Sequence, residues 1–188
     1  MPDLPKIPEI PDVVAREGDA LTVAGAIHAL RSRFEAEEVT KDEITVVGWV
    51  VDTNVPSAPK CALHRAGKAA PPDCAAELPE LVLADRADAP KGAPRLRVMG
   101  WASSFAQLVE AEVANGKKPA KPYADDVWGV PVPWPLPAPG ARVKVRGRYG
   151  FSFTKSSRRV VTDATSGILT YAGLETLSPA PRPLLIPR

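Results

Sequence analysis

Residues 141–159, ARVKVRGRYGFSFTKSSRR, carry the chain's most concentrated chemistry. The segment holds Arg142, Lys144, Arg146, Arg148, Lys155, Arg158 and Arg159 and no acidic residue, with Tyr149, Phe151 and Phe153 set among them. Cationic side chains follow a phosphate backbone and aromatic faces stack on bases, the combination that single-strand binders use. A solvated outer strand face followed by a hairpin loop has the same composition, with Phe151 or Phe153 turned into a core. Cys61, His64 and Cys74 form a second constellation, C-x2-H-x9-C. Thiolates and imidazole ligate zinc, but a structural site takes four ligands, and only His28 or an acid such as Asp73 is on hand to complete the set. The same two cysteines suit a Cys61–Cys74 disulfide or two free thiols, and sulfur chemistry without a metal is the stronger reading.

Other chemistry is sparse. There is no G-x-S-x-G, phosphate loop, H-E-x-x-H or dinucleotide glycine pattern, and with two histidines no local context supports a nucleophile–base pair. Asp85 with Asp88, and Asp125 with Asp126, are the available carboxylate pairs, and adjacent acids in loops are mostly solvated turns. The expectation is a protein that is not an enzyme and needs no cofactor. Trp49 and Trp101 each follow a glycine and suit either a barrel surface or the core. Trp128 and Trp134, among prolines, suit either a docking surface for an extended peptide or the anchoring of a loop.

The elements that must position these residues can be read from periodicity. Residues 141–149 alternate strictly, Val143 and Val145 to one side and Arg142, Lys144 and Arg146 to the other, which predicts a half-buried strand. EITVVGWVVD (43–52) predicts a strand with a bend at Gly48, and ELVLAD (80–85) a second. RLRVMGWAS (95–103) is a third, with Leu96 and Val98 opposite Arg95 and Arg97. RRVVTD (158–163) extends a hairpin and GILTYAGLETL (167–177) closes the set. Val23, Ile27, Leu30 and Phe34 form the stripe of a helix over 20–36, capped by Asp19 or Thr22 and weakened by Gly25. Phe105, Leu108, Val109 and Val113 form that of a short helix ending at Gly116. Residues 53–79 and 117–139 are proline-rich excursions.

The ends are proline-rich as well. Pro2, Pro5, Pro8 and Pro11 recur every third residue in step with Leu4, Ile7 and Ile10, a period that suits an extended arm. The organisation expected is an arm (1–18), a single domain (19–177) and a tail (178–188). A net charge of +2 across 188 residues gives no general attraction to nucleic acid or anionic membrane, so any basic effect is local. No apolar run is long enough to span a bilayer. The opening residues lack a basic region followed by an apolar stretch, so the cytoplasm is the expected compartment, or the cell envelope if a signal has been removed.

The order helix, strand, strand, strand, helix, strand, strand resembles the oligonucleotide/oligosaccharide-binding fold (OB-fold), a five-stranded barrel with a helix between its third and fourth strands. ITVVGWVVD (44–52) is similar to its entry strand, GARVKVRGRYGFS (140–152) to its later glycine-containing strand, and GILTYAGLETL (167–177) to its last. The likeness, to uncharacterised bacterial members with a cysteine-containing loop after the entry strand, spans roughly 40–177. It implies a mainly β, five-stranded OB-like barrel with an N-terminal helix and one inserted short helix, with loops 53–79 and 150–166 closing over a ligand. The function expected is non-catalytic binding, of single-stranded nucleic acid through Arg142, Lys144, Arg146, Arg148, Tyr149, Phe151, Lys155, Arg158 and Arg159. The alternative is a protein-interaction or assembly component using the barrel and the proline-rich arms.

Overall fold

The computed structural model describes residues 14–63, 73–74, 76–117, 122–153, 155 and 160–187. Strand exceeds helix in the chain, and most strands join one sheet. The elements are β1 (Arg16–Glu17), β2 (Ala20–Thr22), α1 (Val23–Arg31), α2 (Ala36–Lys41), β3 (Glu43–Thr53), β4 (Glu80–Ala84), β5 (Leu96–Met99), α3 (Phe105–Lys117), β6 (Arg142–Gly150), β7 (Ser152–Phe153), β8 (Val161–Thr162) and β9 (Ile168–Ser178).

β6 alternates valines with charged residues, whereas β3 is a nearly continuous run rich in β-branched residues. β3 lies antiparallel to β6 through Glu43–Trp49 and antiparallel to β4 from Trp49 onward, with a register shift between Val50 and Asp52 that bends the strand. β4 pairs antiparallel with β5, β5 parallel with β9, and β9 antiparallel with β6 along nearly its whole length. Each of β3, β4, β5, β6 and β9 is therefore hydrogen-bonded to two others of the five, and the pairings return to their starting strand. β2 continues the sheet beside β3 in parallel, and β1 folds back on β2. β7 and β8 form a separate two-stranded hairpin.

The main core sits on the inner face of this sheet: Val46, Val50, Leu81, Leu83, Leu96, Val98, Val143, Val145 and Leu169 are fully buried there. Helices α1 and α3 contribute Val23, Leu30, Phe105 and Leu108 to the same cluster. A smaller cluster joins Met99, Phe153 and Ile168 to the half-buried Leu78, Trp128 and Val161.

Several expectations change in the folded chain. The single helix expected over 20–36 is a strand followed by two helices, because α1 ends at Ser32, in extended conformation. Phe34 falls past that end and is 93% exposed rather than part of the stripe. Of the two proposed caps, Thr22 accepts from the Gly25 N–H (3.0 Å). The Asp85 carboxylate also takes the Val23 and Ala24 N–H groups (2.6 and 3.0 Å), so an acid from the end of β4 completes the cap. Asp85 is thus no partner of Asp88, which pairs with Arg86. On α3 Val113 is 41% exposed, and Ala111 is the buried residue in its place. The tail after β9 lies on its own domain, with Ile186 buried in the main core. Residues 1–13 of the N-terminal arm lie outside the described residues.

Candidate nucleic-acid interface

The alternation on β6 has the consequence that elementary strand geometry requires. Val143, Val145 and Gly147 point inward, and Arg142, Lys144, Arg146 and Arg148 stand in a row on the outer face, about 6.7 Å between successive members. Gly147 keeps this row close to β9, since a Cβ there would sit 2.2 Å from the Thr170 carbonyl oxygen.

Parity also moves Tyr149 out of the predicted interface. It is two residues beyond Gly147 on the inward side and only 3% exposed. Its hydroxyl donates to the Ser166 carbonyl, and burial drives its pKa well above the ordinary tyrosine value. No ring face is left for a base. Phe153 is likewise fully buried. Phe151, beyond the strand's end, is 43% exposed and keeps an accessible face. Lys155 stands over the Trp128 ring at 5.9 Å, and Trp128 meets Phe153 edge-on at 5.8 Å. Burial among these rings pushes the Lys155 pKa down. Arg158 and Arg159 lie outside the described residues.

Three of the four cations on β6 already have carboxylate partners. Both oxygens of Glu17 lie within 2.6 Å of the Arg142 guanidinium, which also stacks over Trp49 at 5.8 Å. Lys144 donates to Asp19 at 2.6 Å. That hydrogen bond lowers the Asp19 pKa and raises that of Lys144. Glu175 faces Lys144 in the β6–β9 register without a direct ion pair. Arg146 approaches Glu43 at 3.3 Å and stays 62% exposed. Arg148 makes no ion pair among the described residues. The row is therefore masked at its Arg142 end and open at its Arg148 end. A shallow open depression of about 340 Å³ lies beside it, lined by Asp19, Thr45, Lys144, Arg146, Gly173 and Glu175 among others.

Neither Glu17 nor Asp19 was visible as part of this face, because 125 residues separate each from its partner. Trp49 emerges only from the β3–β6 register, which sets it directly opposite Arg142. Tyr149 did carry a signal, since the period that buries Val143 and Val145 also buries position 149.

The remaining candidates resolve simply. Cys61 and Cys74 are bonded to each other, with Cα atoms 5.9 Å apart. Their sulfurs hold no thiolate in this form, so the C-x2-H-x9-C zinc reading does not stand, and His64 lies outside the described residues. Among the described residues no group of three or more His, Cys, Asp or Glu is placed to hold a metal ion. Asp125 is buried and spends its carboxylate on the N–H groups of Ser103, Val127 and Trp128, a loop clamp rather than half of an acid pair. Trp101 is wholly core. No described helix is long and apolar enough to cross a membrane. No protein-family model matches the chain, and no curated protein matches its sequence.

Proposed function

We propose that this chain is a non-catalytic binding module built on a five-stranded barrel of the OB type, and that it binds a polyanion, single-stranded nucleic acid, along the outer face of β6. The barrel reading draws on the circuit of pairings β3–β4–β5–β9–β6–β3, with one parallel pair and a helix between its third and fourth strands in chain order. The observation that carries the binding reading is the row of four cations at alternate positions of one strand, whose Arg146 and Arg148 end is exposed and leads to Phe151. Arginines there neutralise phosphates, and Phe151 offers a stacking face.

Fluorescence anisotropy with a labelled oligothymidylate tests this. Counting the unpaired Arg148 and Arg146, which stays 62% exposed beside Glu43 and is held less closely than Arg142 or Lys144, as the two available cations, the logarithm of affinity falls against the logarithm of salt with a slope of about −1.4. R146Q/R148Q removes the binding. No binding at about 50 mM salt, or binding indifferent to salt, overturns the reading.

A second reading, a protein-interaction component, is favoured by β9. Its pairing with β5 stops at Thr170, so from Tyr171 to Ser178 its far side has no strand partner among the described residues. Such an edge accepts an added strand from another chain. The docked C-terminal tail counts against that tail as a free arm. Sedimentation over a range of concentrations, with T176P as the edge-blocking variant, distinguishes self-association through this edge from its absence.

A further inference from the structure

Glu17 and Asp19 belong to a short strap, residues 14–19, that crosses to β6 from the N-terminal side of the domain. The strap's seat is built into α1. A Cβ on Gly25 would lie 2.1 Å from the Ala15 carbonyl oxygen and 2.8 Å from its carbonyl carbon, so only glycine at 25 lets Ala15 lie against the helix. Two further bonds fix the same spot: Thr22 donates through its hydroxyl to the Val14 carbonyl (2.6 Å) and through its N–H to that of Ala15 (3.1 Å). Gly18, with φ of 61°, turns the chain so that β1 returns along β2, and the two flanking acids reach Arg142 and Lys144.

The two ion pairs are solvent-facing, with the Glu17 and Asp19 side chains 53% and 80% exposed. Pairs of that kind contribute little to stability. What they do control is access. A phosphate approaching Arg142 competes with the Glu17 carboxylate that both Nη2 bonds hold beside the guanidinium, and one approaching Lys144 meets Asp19. Apart from the ion pairs, the strap is held by its seat at Val14 and Ala15 and by two residue pairs of β1 with β2, none of which is part of the β3–β6 or β6–β9 ladders, so its release leaves those ladders intact.

We propose that the 14–19 strap is an autoinhibitory cover: its carboxylates stand in for phosphate on Arg142 and Lys144, and its release turns a two-cation site into a four-cation one. This rests on the polyanion reading of β6 and adds a regulation to it.

The test compares full-length chains by anisotropy against oligothymidylate over a salt series. In E17Q/D19N the salt slope steepens from about −1.4 to about −2.8, and affinity at about 50 mM salt rises roughly 60-fold. G25A, which unseats Ala15 while leaving every charge in place, moves slope and affinity in the same direction, with circular dichroism reporting that the domain is folded. E77Q/E112Q makes the same change in net charge at two exposed acids that pair with no β6 cation, and leaves the slope at the wild-type value. Wild-type binding with an unchanged slope in E17Q/D19N, or in folded G25A, overturns the strap while the polyanion reading stands. A gain in E77Q/E112Q equal to that in E17Q/D19N also overturns it. Absence of binding by wild type at about 50 mM salt overturns the polyanion reading and, with it, the strap.

Discussion

Gly147→Ala isolates the contact that sets the outer row of cations at its height. In β6 the residue sits between Arg146 and Arg148, facing the bulge where the β9 register shifts. The added methyl carbon falls 2.2 Å from the Thr170 carbonyl oxygen and 2.9 Å from its carbonyl carbon. Both belong to the backbone, so no side-chain rotation relieves the clash. To restore ordinary contact, the strands must part locally by about 1 Å, which overpacks the sheet at a cost of about 1–3 kcal/mol. The same movement weakens one ladder hydrogen bond, worth about 1 kcal/mol. A total loss of about 2–4 kcal/mol is expected, read as a lower urea midpoint at unchanged slope. Gly150→Ala is the internal control: same strand, same substitution, nothing within 4 Å of the new carbon, and no positive φ. It is expected to change stability by less than about 0.5 kcal/mol. Equal effects at 147 and 150, or a Gly147→Ala loss below about 0.5 kcal/mol, refute the close-approach argument.

Three further outcomes follow from named contacts. Reduction of Cys61–Cys74 reopens a 13-residue separation and is expected to cost about 3 kcal/mol, seen as a fall of roughly 6–12 °C in Tm on adding a dithiol. An unchanged Tm in the C61S/C74S variant counts against that staple. Stability is expected to be level to about pH 9 and to fall above pH 10: burial raises the Tyr171 pKa to about 12 and that of Tyr149 further, so the unfolded chain ionises first. The check is tyrosinate absorbance rising together with unfolding rather than before it. Asp125→Ala strands three backbone N–H groups and is expected to destabilise by about 2–4 kcal/mol in chemical denaturation.

The sequence alone was sufficient for whatever depends on local period. Alternation in 141–149 specified a strand with cations on one side and valines on the other, because successive side chains of a strand point to opposite faces whatever the strand packs against. Other local signals made the remaining long strands and α3 legible to within a few residues at their ends: β-branched enrichment in 43–52 and an apolar stripe at helical spacing from Phe105. The helix over 20–36 was not, since its apolar stripe continues through Phe34 while the chain turns at Ser32.

Tertiary structure decided everything that needs two distant segments at one point. Gly25 reads in the sequence as a weakness in a helix, yet it is the seat of a backbone ten residues earlier. Asp85 reads as half of an acid pair but caps a helix from 62 residues away. The electrostatic character of the site is the largest such case. The segment 141–159 contains no acid, and three of the four cations on its strand are nonetheless matched by carboxylates that the fold delivers from residues 17, 19 and 43. A charge count along the chain registers what a segment carries. The field at a surface depends on which other segments lie within a few ångströms of it, and only the tertiary pairing of the strands fixes that.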